Sequence, residues 1–172
     1  MNWDTYFMNI AEAVSKKSHC FSIQRGCVLV KDKQILSTGY NGPPMGFPHC
    51  EHLFILPVDK ELLPLDVPQY TCPRKRVGFK SGEGLEYCPA SHAELNAIVS
   101  AARNGISVKG ATLYLNFDTS PCRECAKAIV NSGIVEAVVK SDADKPYDFK
   151  GLTGLFILKA CGISLRNAEG SV

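Results

Sequence analysis

One histidine, two cysteines and one glutamate stand at spacings that could build a metal-dependent hydrolytic site. Residues 92–94 read His-Ala-Glu, and residues 121–125 read Pro-Cys-Arg-Glu-Cys. One imidazole and two thiolates are one ligand fewer than a closed tetrahedral zinc site needs, so a water can take the fourth position. Zinc lowers the pKa of such a water towards neutrality, and the glutamate can carry its proton. The spacing therefore predicts a catalytic zinc and a proton carrier, assigned to His92, Cys122, Cys125 and Glu94.

Two helix starts must position these side chains. Cys122 and Cys125 are three residues apart, which puts both sulfurs on one face of a helix predicted over 121–132. The positive end of that helix dipole favours thiolates. His92 and Glu94 are two apart, so they converge only where the backbone is not yet fully helical. A second helix is therefore predicted over 92–104, beginning at this motif.

The remaining segments predict an alternation of strands and helices. A helix is expected over 3–17, a hairpin with strands 26–30 and 35–39, strands at 111–117 and 135–140, a helix around 149–161 and a strand at 163–166. Eight of the ten prolines fall between Pro43 and Pro89, which argues against long regular elements there. The order αββ(insert)αβαβαβ indicates an α/β layered sandwich with helices on both faces.

Composition limits the class of protein. A chain of 172 residues is the size of one domain. With a net charge of +2, it lacks the strong positive charge that is typical of dedicated nucleic-acid-binding proteins. Residues 1–17 contain no continuous apolar stretch, and no segment is apolar enough to span a membrane. We expect a cytoplasmic protein whose eight cysteines are reduced and available to metals.

The combination of His-x-Glu with Pro-Cys-x-x-Cys is the signature of zinc-dependent nucleobase deaminases. Either half alone is weaker, since a lone Pro-Cys-x-x-Cys also occurs in structural zinc sites and redox pairs. The chain resembles the deoxycytidylate (dCMP) deaminases of the cytidine deaminase superfamily over nearly its whole length. The resemblance rests on four segments of this sequence: Trp3-Asp4-x-Tyr6-Phe7-Met8, Gly39-Tyr40-Asn41-Gly42-Pro43-Pro44-x-Gly46, His92-Ala93-Glu94-Leu95-Asn96-Ala97-Ile98 and Pro121-Cys122-x-x-Cys125-Ala126-Lys127.

The resemblance implies a single domain over 1–172, a three-layer α/β/α sandwich with a central five-stranded mixed sheet and a Pro/Cys-rich insert at about 43–90. It implies hydrolysis of dCMP to dUMP and ammonia, and so a role in pyrimidine nucleotide biosynthesis. Asn41 would contact the sugar, because its amide can donate and accept at once, with Tyr40 and Gly42 beside it. The expected partners are a small-molecule nucleotide and further copies of the chain, as a hexamer or a dimer. Regulation by dCTP and dTTP with Mg²⁺ is a further implication.

Two alternatives stay open. The substrate could be another cytosine nucleotide, a nucleoside or a tRNA base, or the chain could be a non-catalytic module stabilised by zinc. Two departures from the family bear on substrate recognition. Ile23 stands where members often carry arginine, and the link 116–120 is two residues longer and includes Asp118. Candidate phosphate ligands are the basic cluster Arg74, Lys75, Arg76 and Lys80, together with Arg25 and Arg123.

A second zinc is predicted in the insert. Four cysteines lie in or beside the proline-rich segment, and four thiolates would close a structural tetrahedral site. Some dCMP deaminases have a second zinc whose ligands resemble the first two of the four residues Cys20, Cys50, Cys72 and Cys88. A mixed site that uses His49 or His52, and thiols that bind no metal, are the alternatives. The last two cysteines, Cys27 and Cys161, are expected to be buried small hydrophobes.

Overall fold

The computed structural model describes residues 1–52, 71–76, 78–80, 82–147 and 151–169. The five predicted strands and the four predicted helices occur there in the predicted order, with one additional four-residue helix in the insert. The helices are α1 (Trp3–Ser15), α2 (Pro73–Arg76), α3 (Ala93–Arg103), α4 (Arg123–Asn131) and α5 (Gly154–Ala160). The strands are β1 (Gly26–Lys31), β2 (Gln34–Tyr40), β3 (Thr112–Leu115), β4 (Glu136–Val139) and β5 (Ser164–Asn167).

The five strands form one mixed sheet in the order β2-β1-β3-β4-β5. Strand β1 is antiparallel to both of its neighbours, whereas β3, β4 and β5 run parallel. The parallel pairs require crossover connections, and helices α4 and α5 provide them. The predicted central five-stranded mixed sheet is therefore confirmed.

Helices cover both faces of the sheet because the strands alternate their side chains. Phe7 and Ala11 of α1 pack with Val28, Tyr114 and Val138 on one face. The opposite face carries a larger core that includes the alternate strand positions and the buried residues of α3, α4 and α5, namely Cys27, Leu29, Leu113, Leu115, Ala97, Ala126, Ile129 and Leu158. The three-layer α/β/α sandwich is thus confirmed. In the described ranges, none of the helices combines the length and apolarity that crossing a bilayer requires.

Several local expectations need correction. Helix α4 begins at Arg123, so Cys122 is its N-cap and Pro121 precedes the helix. Helix α5 begins at Gly154, after Thr153 caps it by accepting a hydrogen bond from the Phe156 N–H; the predicted start near 149 lies outside the described residues. Cys161 is exposed, contrary to the prediction, because it follows the last turn of α5 and faces solvent. Cys27 is buried as predicted.

Candidate metal centre and catalytic cavity

The N-termini of α3 and α4 bring the predicted metal ligands together. His92 and Cys122 are the N-cap residues, both with extended backbone, and Cys125 lies one turn into α4. His92 Nδ1 is 3.3 Å from Cys122 Sγ and 3.5 Å from Cys125 Sγ. Tetrahedral zinc with ordinary Zn–S and Zn–N bonds separates such a nitrogen and sulfur by about 3.6 Å. The three side chains therefore fit a zinc ion, and Nδ1 is the histidine atom that would bind it.

The electrostatics at this pair of helix starts favour anionic sulfur. The hydrogen bond from Cys125, followed by the one from His92, outweighs burial and lowers the pKa of Cys122 to about 4. Because His92 donates this hydrogen bond to the Cys122 sulfur, the same bond raises the pKa of His92. The hydrogen bond with Cys122, followed by burial, raises the pKa of the Cys125 thiol. Metal binding requires deprotonated ligands, so zinc would displace the proton of a cysteine thiol at this site.

Glu94 lies beside the three ligands and is not part of their cluster. It belongs to the first turn of α3 and is 3% exposed. Burial raises the pKa of Glu94 above that of an ordinary carboxyl, although its own backbone N–H and the charges of His92 and Arg25 oppose the shift. A carboxyl group with a raised pKa can both accept and return a proton near neutral pH, as a general acid-base requires.

Close backbone packing holds both helix starts. A Cβ on Gly39 of β2 would lie 2.2 Å from the carbonyl oxygen of Ala93, so α3 rests directly on the strand. Likewise, a Cβ on Gly154 of α5 would lie 2.1 Å from the carbonyl oxygen of Pro121, just before the first cysteine ligand. The backbone hydrogen bonds between Gly42 and Ser91 then fix the chain next to His92.

The predicted substrate residues separate into two places. Asn41 lines a cavity together with His92, Glu94 and Cys122. Its Oδ1 accepts from the Arg25 N–H at 2.8 Å, and its Nδ2 donates to the Ile23 carbonyl at 3.0 Å. One acceptor position and one donor hydrogen of the amide are left for a ligand.

Tyr40 and Gly42 lie outside that cavity, in an adjoining groove. The carbonyl of Tyr40 accepts from Asn96 Nδ2 at 2.8 Å, and the backbone of Gly42 is engaged with Ser91. In the described structure these two residues therefore support the first turn of α3.

In the remaining cavity wall, sequence reasoning missed Tyr147, whereas Phe117 and Ser120 belong to the link 116–120 that it connects with substrate recognition. Besides Ile23 and Arg25, which the sequence had singled out for other reasons, the wall includes Phe117, Ser120 and Tyr147. Tyr147 follows β4 by eight residues of irregular chain, so no local pattern connects it to the metal ligands. The ring of Tyr147 meets that of His92 edge-on, with 6.2 Å between centroids.

The longer link before the cysteine motif turns its charge away from the cavity. Asp118 is exposed and accepts a hydrogen bond from Ser141 Oγ at 2.6 Å. Asn116 is anchored to the Gly26 N–H at 2.7 Å, and Phe117 is buried and lines the cavity. The link thus places an aromatic ring at the site and directs its carboxylate to solvent.

The basic cluster of the insert is divided between surface and interior. Arg74 and Arg76 are buried, where Arg74 donates to the Glu83 carbonyl and Arg76 to the Cys50 carbonyl. Lys75 and Lys80 are exposed. These four do not line the catalytic cavity.

The four cysteines proposed for a second metal are electrostatically coupled. Burial raises the pKa of Cys50 to about 11, and the neighbouring charges of Cys20, Cys72 and Cys88 add to the shift. Cys50 is therefore close to all three. Their sulfurs are less tightly grouped than the catalytic ligands: within the described ranges, only His92, Cys122 and Cys125 offer three ligand atoms all within 4.8 Å.

The chain is similar to a known protein family and to several named relatives. Residues 1–141 match the family described as the cytidine and deoxycytidylate deaminase zinc-binding region. The deoxycytidylate deaminase of phage T2 is 38% identical over 155 residues, covering 80% of this chain and 79% of the phage protein. That of mycobacteriophage D29 is 34% identical and covers 83% and 97%. The fission yeast deoxycytidylate deaminase is 33% identical over 96% of this chain, which spans only 44% of the yeast protein.

A solved structure shares the fold over almost the whole chain. The dCMP deaminase of cyanophage S-TIM5, solved in complex with dCMP and dUMP, superposes with a TM-score of 0.64. It is 26% identical and covers 95% of this chain and 94% of its own. The fold is thus one that accommodates a pyrimidine nucleotide in the phage protein.

Proposed function

This chain belongs to the cytidine and deoxycytidylate deaminase family, and we propose that it hydrolyses dCMP to dUMP with release of ammonia. The observation that carries the proposal is the group His92, Cys122 and Cys125 at two helix starts, with buried Glu94 beside it. Two of the matching relatives are deoxycytidylate deaminases, and the S-TIM5 enzyme was solved in complex with dCMP and dUMP. A purely structural zinc has no need of a buried carboxyl beside it.

The residues have distinct parts in this reaction. His92 Nδ1 and the two thiolates would hold zinc, which when bound lowers the pKa of a water to near neutrality. Glu94 would pass one proton of the water to the ring nitrogen and then the remaining hydroxyl proton to the departing amine, which leaves as ammonia. Its burial supports this role, because a desolvated carboxyl with a raised pKa gives up the proton only to a basic acceptor.

Asn41 is proposed to position the sugar. Its buried amide is held from two sides by the chain at 23–25, which leaves one donor and one acceptor in a fixed direction. A deoxyribose hydroxyl can satisfy both. Tyr40 and Gly42, assigned to the substrate from sequence, are proposed instead to support Asn41 and the start of α3.

A substrate panel tests the proposed function. We expect ammonia release from dCMP, with lower kcat/KM for CMP, dCTP, cytidine and a tRNA. Turnover of tRNA alone would point to a nucleic-acid editor, and absence of turnover on every member would favour a non-catalytic zinc module. The assay is run on protein whose zinc content has been measured, so that inactivity is not due to metal loss.

A second, structural zinc is also proposed, held by Cys20, Cys50, Cys72 and Cys88. The coupling of Cys50 to the other three supports this set. Arg76 near Cys50 can offset the negative charge of four thiolates. The mixed alternative draws on His49, whose Nδ1 is buried with no hydrogen-bond partner among the described residues.

Metal analysis decides the second site. The wild-type protein is expected to contain two zinc ions per chain and the Cys50→Ser variant one, with the catalytic zinc retained. Ligand loss should also open the insert to limited proteolysis, because metal binding and folding are coupled. Cys161→Ser, which alters an exposed thiol, is the matched control and should keep both ions. One zinc per wild-type chain would contradict the proposal, and retention of two in a His49→Ala variant would argue against the mixed site.

Assembly and regulation stay predictions of the family resemblance. A hexamer or dimer is expected, as is a nucleotide effector bound with Mg²⁺. Sedimentation with and without dCTP and Mg²⁺ measures both.

A further inference from the structure

The guanidinium of Arg25 forms part of the wall of the catalytic cavity. Residues 21–25 run irregularly into β1, and Ile23 and Arg25, two positions apart, both line the cavity. The segment is fixed at this point because Asn41 bonds to the Arg25 N–H and to the Ile23 carbonyl. The arginine side chain therefore leaves a well-anchored backbone.

Aromatic rings hold the charged end of Arg25 in place. Its Cζ lies 4.1 Å from the centroid of the Phe117 ring and 5.7 Å from that of Tyr147. Stacking uses the faces of the guanidinium and leaves its N–H groups, which lie in the plane, able to bind a ligand. These contacts hold the charged group in position without consuming its hydrogen-bond donors.

The donors of Arg25 are incompletely used. Its Nη1 is buried and has no hydrogen-bond partner within the described structure. Among all the residues that the structure describes, no ion pair with an N–O distance within 4.0 Å involves Arg25. Buried donors in proteins are nearly always satisfied, and arginine satisfies carboxylates and phosphates best. This donor set therefore fits an anionic group of a ligand.

The charges of the cavity wall indicate which anionic group of a ligand would bind there. Among the described residues that line the cavity, Arg25 carries the permanent positive charge and Glu94 the carboxyl group. A phosphate monoester carries about −1.5 to −2 charges at pH 7, and its entry needs a cation at the wall. Arg123 is exposed beside Glu124, and the insert arginines bond elsewhere.

We propose that Arg25 binds the 5′-phosphate of the nucleotide and makes the enzyme select a monophosphate over the free nucleoside. The inference rests on the proposed deaminase function and identifies the residue that binds the phosphate of the substrate. Phe117 and Tyr147 are positioning residues that hold the guanidinium. Asp118, turned towards Ser141, does not oppose the phosphate.

The test compares substrates and products that differ only in phosphate. For Arg25→Met we expect kcat/KM on dCMP to fall about 10- to 100-fold, the range for losing a hydrogen bond to a charged group. Turnover of deoxycytidine should stay within about twofold, because it lacks the group that Arg25 binds. Titration with dUMP and deoxyuridine should show the same selective loss in Kd.

Controls separate the possible failures. Lys127→Met removes an exposed positive charge from α4 and should leave both ratios unchanged. If Arg25→Met does not fold by its thermal melt, Arg25→Gln takes its place. Equal losses for the nucleotide and the nucleoside, no loss for either, or no binding of dUMP by the wild type would each overturn the assignment. Wild-type protein that binds dUMP but releases no ammonia from dCMP would refute the proposed function, while the titrations still decide the role of Arg25.

Discussion

Replacing Glu94 with glutamine should lower kcat on dCMP by about 10²- to 10⁴-fold, the usual contribution of a positioned acid-base. Glutamine has nearly the same shape, so the packing at the start of α3 is retained, but it can neither accept nor return the proton. The zinc content should not change, because Glu94 is outside the ligand group of His92, Cys122 and Cys125. Ammonia release and metal analysis on the same preparation measure both quantities.

The matched control for this variant is Glu124→Gln. Glu124 lies two residues after the ligand Cys122, as Glu94 lies two residues after His92, but it is exposed and pairs with Lys127 at 2.8 Å. Its substitution should leave kcat within about twofold, since an exposed pair contributes little. A drop of less than tenfold in Glu94→Gln, or a loss of zinc that accompanies it, would remove the proton-carrier role.

A single methyl group added at Gly39 should damage both stability and activity. The Cβ would approach the Ala93 carbonyl oxygen at 2.2 Å and the Ala97 nitrogen at 2.4 Å. These are backbone atoms, so the whole of α3 must move to relieve the contact. Overpacking of this kind costs about 1–3 kcal/mol of stability. A displacement of about 1 Å at a catalytic group can reduce turnover about 100-fold.

Thr38→Ala is the corresponding control, since Thr38 is the neighbouring residue of β2 and is exposed. Denaturant unfolding and kcat at saturating zinc are measured for both variants. Gly39→Ala with wild-type unfolding midpoint and turnover would show that α3 is not seated on β2 in the way the structure describes.

The catalytic group could be predicted from sequence because each half of it is local. Cys122 and Cys125 are joined by one helical turn, and His92 and Glu94 by a helix start, so short-range geometry determines their directions. Periodicity likewise predicted the strands and helices to within a few residues. The start of α4 differs from the prediction. Pro121 was expected at the first helical position, whereas Cys122 is the N-cap and the helix begins at Arg123.

The rest of the cavity could not be predicted in this way. The sequence names Arg25 among the candidate phosphate ligands, but it gives no reason to rank Arg25 above Arg123. Phe117 ends the strand predicted over 111–117 and belongs to the link that the sequence connects with substrate recognition. Tyr147 offers no such signal, because it lies in irregular chain after β4. The exposure of Cys161 was missed because an apolar environment was assumed for a residue just beyond the last turn of α5.

By itself the sequence determined which chemistry is available: a three-ligand zinc group, a neighbouring acid, the order of elements and the family. Those features depend on residues close together along the chain, where backbone geometry allows few alternatives. Only the tertiary structure decided which distant residues surround the reacting atoms. It brought an arginine, two aromatic rings and a serine to one cavity and left Tyr40 and Gly42 outside it. The reason is that such contacts arise from the packing of helices on the sheet, which no local pattern encodes.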